Sequence, residues 1–96
     1  SREDIRKIVD LEMDKVIKRL ATKDIELKIT KKGKKFIAEK GFDQKLGARP
    51  LKRVIQKKIL DPLAMKVISG DVKANSKVTV STKNNKISFR IVDKRK

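Results

Sequence analysis

Apolar residues fall on one helical face between residues 4 and 20: Ile5, Ile8, Val9, Met13, Val16, Ile17 and Leu20. Glu3 and Asp4 near its start, and Lys18 and Arg19 near its end, match the sign of the helix dipole. Leu11 lies on the opposite face. It reads equally well as a lone exposed leucine, which is common, or as a contact with an absent neighbour. Residues 25–29 then alternate Ile25, Glu26, Leu27, Lys28 and Ile29, the period of a half-buried strand. Thr30 is placed to cap a helix over 31–40, with Phe36 and Ile37 inward and Lys31, Lys32, Lys34 and Lys35 outward. Gly41 and Phe42 predict its stop: a left-handed glycine after the helix, then an apolar residue packing back on Ile37.

The second half opens with a stronger helical pattern over 48–68, through Leu51, Val54, Ile55, Ile59, Leu63 and Val67. Pro50 suits the first turn, where its missing N–H costs nothing. Pro62 sits inside the pattern and predicts a kink or a split. Gly70 ends it. Val78 and Val80 alternate in 77–82, and Ile87, Phe89 and Ile91 in 86–91. Asn84-Asn85 between them tolerates positive φ and predicts a tight hairpin. The charged tail from Asp93 to Lys96 is expected to fray. The order helix-strand-helix-helix-strand-strand predicts an α+β fold. The early strand joins the late hairpin in a three-stranded sheet, with the helices on its one apolar face. No repeat or linker divides 1–96, which reads as one domain.

Composition narrows the chemistry. With 38% apolar and 3% aromatic residues, the core is a small Ile/Val/Leu one. The absence of Cys excludes disulfides and thiolate chemistry, and the absence of His removes the commonest general base and metal ligand. Lys and Arg number 28 against 12 acids, a net charge of +16. That balance fits either a polyanionic partner or the compositional drift of an A/T-rich genome. The spread of basic residues along the chain, almost without interleaved aromatics for base stacking, favours drift. No apolar run approaches the ~20 residues of a membrane span. The chain enters helical pattern directly after Ser1, with no signal peptide, and is read as a piece cut from a longer protein.

No catalytic set and no metal-ligand cluster is present. Gly33-Lys34 lacks the earlier glycine of a phosphate-binding loop, and no acidic pair follows an apolar strand to hold magnesium. The chain alone is therefore expected not to hydrolyse ATP. One segment stands out, Gly41-Phe42-Asp43-Gln44-Lys45-Leu46-Gly47-Ala48-Arg49-Pro50-Leu51 followed by Lys52-Arg53-Val54-Ile55-Gln56. Gly47 and Ala48 leave the backbone uncrowded at a helix start from which Arg49 projects. Free amides there attract anions, and a guanidinium can pair with a phosphate bidentately. On the residues alone the commoner reading remains a solvated surface arginine.

The run resembles the C-terminal small domain of the second ATPase module in the Clp/heat-shock-100 family of AAA+ proteins. Its carriers here are Gly41-Phe42-Asp43, Gly47-Ala48-Arg49-Pro50-Leu51, Arg53, Ile55-Gln56, Ile59 and Asp61-Pro62-Leu63-Ala64. The likeness extends from Ile8-Val9-Asp10-Leu11 to the final hairpin, and the high Lys content is its main departure. The resemblance implies that Gly47, Ala48 and Arg49 form a nucleotide-binding element, with Arg49 the sensor-2 arginine. From the lid it would reach the γ-phosphate of ATP, bound with magnesium by the preceding large domain. It implies no catalytic residue and no metal ligand in the chain itself, and no cofactor bound by the chain alone. The implied partners are the large AAA+ domain, neighbouring subunits of a homohexameric ring, and unfolded polypeptides threaded by that ring under stress. ClpB-like disaggregation and ClpC-like delivery to a protease stay unseparated. So do the cytoplasm and an organelle or vacuole lumen as the compartment. A basic nucleic-acid-binding module and a protein-interaction adaptor without a nucleotide role are the alternatives. No helix-turn-helix, zinc-finger or RNA-recognition signature supports the first.

Overall fold

The computed structural model describes residues 2–94, with the backbone alone for Arg2. Helix α1 runs Arg2–Ala21, strand β1 Ile25–Ile29 and helix α2 Lys31–Gly41. A second helical stretch follows in three pieces: α3 (Leu51–Ile55), a π-helical turn (Gln56–Leu60) and α4 (Asp61–Ile68). Strands β2 (Ser76–Lys83) and β3 (Lys86–Asp93) close the fold. The helices lie on one face of a three-stranded mixed sheet, the α+β arrangement the order of elements predicts.

The sheet has the order β1-β2-β3, with β1 parallel and β3 antiparallel to the central β2. In register, Leu27, Val78 and Ile91 form one row and Ile29, Val80 and Phe89 the next. Because side chains alternate across a strand, these rows share one face. Glu26, Lys77 and Val92 fall on the other. Two residues, Asn84 (φ 53°) and Asn85 (φ 63°), turn the hairpin in the left-handed conformation that Asn tolerates.

Val9, Met13, Val16 and Leu20 of α1 are buried against β1, with Ile5 and Ile17 beside them. The stripe is narrower than the pattern predicts, and Ile8 turns outward at 38% exposure. Leu11 is exposed. Lys34 Nζ reaches Asp10 Oδ1 at 2.7 Å, linking α2 to α1 by an ion pair whose angles do not make a hydrogen bond.

Thr30 caps α2 by accepting from the Gly33 amide at 3.1 Å, while its hydroxyl donates to Ser81 Oγ at 2.8 Å. Its own amide donates to Val80 O at 2.9 Å. The helix start is thus tied to β2. Gly33 has no room for a side chain, since a Cβ there would lie 2.8 Å from Ile29 Cγ1 and 3.0 Å from Val80 O.

The end of α2 differs from the expectation. Gly41 lies inside the helix and does not have the positive φ of a left-handed stop. Its glycine is required by contact instead: a Cβ would sit 2.7 Å from Leu51 Cδ1 and 2.9 Å from Leu51 Cα. Phe42, expected to pack back on Ile37, is left 41% exposed. The next helix starts at Leu51, not at 48, because Ala48–Pro50 form a turn.

Pro62 does interrupt the helix. It falls in the first turn of α4, and the preceding turn widens so that the Asp61 amide donates to Gln56 O, five residues back. A π-turn relieves the collision between a proline ring and the carbonyl one turn earlier without breaking the chain's helical course. The Gln56 side chain donates to Asp61 Oδ1 at 2.7 Å, a second tie across the same turn.

Leu51, Ile55, Ile59 and Leu63 are all buried. Val67 is not, and it stands exposed with Met65 and Ile68 of the same helix. Val72, in the α4–β2 connection, joins the core instead, a lone apolar residue that no periodicity marks. The tail is ordered further than expected. Asp93 pairs with Ser76, and Lys94 donates to Asn75 O at 2.9 Å. Lys94 Nζ meets Glu26 Oε1 at 3.0 Å and, with Lys77 and Lys28 nearby, holds that carboxyl below its ordinary range. The rest of the tail lies outside the described residues.

Two substitutions test this packing by thermal or chemical denaturation. Ile55→Ala should cost ~2–5 kcal/mol, the range for a buried isoleucine; a near-neutral shift means the helix face is misassigned. Gly41→Ala should destabilise by ~1–3 kcal/mol through overpacking on Leu51, although alanine is the better helix former. A raised melting temperature would show that α2 is free to move away from Leu51.

Candidate functional site

The segment 42–50 leaves the fold between two clamped points, Gly41 and Leu51. Its own sequence makes it compact. Asp43 N donates to Gly47 O at 2.8 Å, and Gly47 N donates back to Asp43 O at 2.7 Å, a two-bond bridge. Asp43 Oδ1 accepts from the amides of Lys45 at 2.7 Å and Leu46 at 3.0 Å, the local closure typical of aspartate in turns. Gly47 has φ +65°, and a Cβ there would touch nothing within 4 Å. The position calls for glycine because of its backbone conformation, not for want of space.

Ala48 and Pro50 are half-buried, and Leu51 is fully buried. Arg49 between them is exposed, and no ion pair or side-chain hydrogen bond holds its guanidinium among the described residues. Its backbone is fixed: Arg49 N donates to Leu46 O at 3.3 Å, Leu51 N to Ala48 O at 3.0 Å, and Val54 N to Pro50 O at 3.0 Å. The turn thus projects a cation from a rigid base.

The expected row of free amides is shorter than the sequence suggests. Pro50 has no N–H, and the Arg49 and Leu51 amides are taken by turn carbonyls. The positive character of the helix start comes instead from side chains, with Arg49, Lys52 and Arg53 all exposed. Gly47, Ala48 and Arg49 are brought together in one turn, with Gly47 shaping it and Arg49 bearing its charge.

The sequence reading missed Asp43 as the residue that closes the turn. The signal was present in an aspartate four residues before a glycine, between two helical patterns. It also missed two exposed apolar side chains in the same segment as Arg49, Phe42 and the 50%-exposed Leu46. No group of three or more Asp, Glu, His or Cys able to hold a metal ion occurs among the described residues, and no helix is long and apolar enough to cross a membrane.

Comparison with known proteins agrees with this architecture. Residues 1–80 match the family model described as the C-terminal, D2-small domain, of ClpB protein. Chaperone protein ClpB of Brucella suis biovar 1 (strain 1330) is 39% identical over 89 residues, covering 93% of this chain and 10% of that protein. Its namesake from Aquifex aeolicus (strain VF5) is 42% identical over 86 residues, 90% of this chain and 8% of that protein. That of Bdellovibrio bacteriovorus (strain ATCC 15356 / DSM 50701 / NCIMB 9529 / HD100) is 42% identical over 82 residues, 85% and 10% respectively. The chain spans about a tenth of the length of these curated relatives. It belongs to the family of C-terminal D2-small domains of ClpB, within the Clp group of AAA+ chaperones.

Proposed function

We propose that this chain, 1–96, is the lid of an ATP-driven chaperone that unfolds or disaggregates polypeptides, and that Arg49 is its sensor-2 arginine. The observation that carries the reading is the exposed, internally unpaired guanidinium of Arg49 on a turn held by the backbone hydrogen bonds of Asp43, Gly47, Arg49 and Leu51. A guanidinium is suited to a terminal phosphate, which it can engage with two parallel hydrogen bonds. The chain has neither a phosphate-binding loop nor a metal-ligand cluster among its described residues. ATP and magnesium would therefore be held mainly by the adjacent large AAA+ domain. ATP supplies the energy of remodelling, and the part of this chain is to orient: Arg49 gains a partner only when a γ-phosphate stands before it. That differential contact is what lets nucleotide bias the lid position.

Phe42 and Leu46 support an inter-domain role for the 42–50 segment. Each is a large apolar side chain left substantially exposed on the Arg49 turn, as expected of a surface covered in a larger assembly. Leu11, exposed on the outer side of α1, is offered as a contact with the next subunit of a hexameric ring. Substrates are unfolded polypeptides handled by the whole ring. The cytoplasm or an organelle lumen is the proposed compartment.

Two measurements test the reading. The 96-residue chain alone should turn over ATP no faster than background; measurable hydrolysis would remove the lid role. In the full-length protein, Arg49→Ala should lower ATP turnover or its coupling to unfolding by about tenfold or more, short of the ~10³–10⁵ of arginines supplied directly to phosphoryl transfer. The same change should move the melting of the isolated chain by no more than ~0.5 kcal/mol, as for a surface residue without partners. Full ATPase and unfolding activity in Arg49→Ala would rule out sensor 2.

A further inference from the structure

A second charged feature lies away from the Arg49 turn. An open groove of about 670 Å³ runs between α2, the π-turn with α4, and the tip of the β2–β3 hairpin. Its floor is apolar, formed by Phe36, Pro62, Ile87 and Phe89. Ile87 and Phe89 pack against the core cluster and Phe36 belongs to α2, and all four floor residues are only half-buried. Its rim carries five lysines, Lys40, Lys57, Lys58, Lys66 and Lys86, and no acidic side chain lines it.

The arrangement follows from local structure. Lys58, Pro62 and Lys66 recur at spacing four along the helical stretch, and Phe36 and Lys40 do so on α2. Each phenylalanine has an ammonium above its ring: Lys40 Nζ lies 5.8 Å from the Phe36 centroid and Lys66 Nζ 5.6 Å from that of Phe89. None of the five lysines is in an ion pair among the described residues. Five like charges round one concavity repel one another and concentrate positive potential there.

We infer that this groove docks an acidic segment of a separate partner polypeptide, one in which Asp or Glu alternate with aliphatic or aromatic side chains. The rim supplies cations for the carboxylates, and the floor supplies apolar surface for the residues between them. Single-stranded nucleic acid fits less well. Its binding draws on successive aromatic faces for base stacking, and here the floor has two half-buried phenylalanines set among the aliphatic Pro62 and Ile87, a surface better matched to aliphatic side chains. A bare polyphosphate would leave the apolar floor unused. The inference does not depend on Arg49, which is no part of the groove.

The test is fluorescence anisotropy of a labelled peptide in which Glu alternates with Leu and Phe, titrated with the 96-residue chain. Binding is expected, weakening with added salt, with a roughly tenfold loss in the double variant Lys57→Glu/Lys58→Glu. A loss is also expected in Lys66→Gln/Lys86→Gln, whose neutral side chains keep similar length. Circular dichroism confirms that each variant is folded. A matched peptide with Lys in place of Glu should not bind. The proposal is overturned by absence of binding, by wild-type affinity in both double variants, or by oligo(dT) or polyphosphate displacing the peptide at lower concentration than the unlabelled peptide does. Sedimentation that shows self-association abolished by the same substitutions would assign the groove to a second copy instead. Loss of peptide binding in the full-length protein, with binding retained by the isolated chain, would assign it to another part of the same polypeptide.

Discussion

The contact between Gly41 and Leu51 sets the geometry on which the rest depends. A helix can approach another this closely only where one partner has no side chain, and Gly41 supplies that gap. Leu51 fills it and is buried. The consequence is topological as well as energetic. Both ends of the 42–50 excursion are held at one place, so its middle must double back on itself. The Asp43–Gly47 bridge and the positive φ of Gly47 are the means by which it does so. Leu51 is also the first of the series Leu51, Ile55, Ile59, Leu63 that carries the second helical stretch across the core. The register of that stretch and the exit direction of Arg49 are thus determined together.

The same stretch accommodates Pro62 by widening, not by ending. A break at this point would have left Leu63 and the π-turn residue Ile59 on separate segments, each too short to be stable without packing. The i→i−5 bond from Asp61 to Gln56 and the Gln56–Asp61 side-chain hydrogen bond keep them on one axis. The π-turn also sets where Lys57 and Lys58 emerge relative to Lys66, and hence the shape of the lysine rim.

Regular features were readable from the residues because their signals are local. The alternation in 25–29 marks β1 to the residue, and Asn84-Asn85 marks the hairpin turn. The misread features depend on what lies opposite in space. Gly41 looks like a helix stop in sequence, but its cause is Leu51, ten residues later. Ile8 and Val67 have the right spacing yet are left exposed. Val72 has no period at all, yet it is buried because the connection folds over the core. The Arg49 turn was found through a run of residues. The groove was not, since its floor and rim come from three elements distant in the chain, and its lysines taken singly resemble any solvated face.

The run from Gly41 to Asp61 can be divided by what each side chain does inside the fold. Gly41 permits the helix contact, Asp43 closes the turn, Gly47 supplies positive φ, and Leu51 and Ile55 are core. Gln56 and Asp61 bind each other across the π-turn. These residues would hold their places in any domain with this packing, whether or not it met a nucleotide. Their presence is therefore evidence about the turn, and about function only through what the turn carries. Arg49 and Arg53 stand apart in the run, exposed and without a side-chain partner among the described residues. Arg49 sits two residues beyond the Asp43–Gly47 bridge, between half-buried Ala48 and Pro50, with its own amide donating to Leu46 O. A rigid base under a cation reduces the ordering cost of meeting a ligand. The fold thus spends its specialised residues on fixing the root of a side chain that contributes nothing to the fold's own stability.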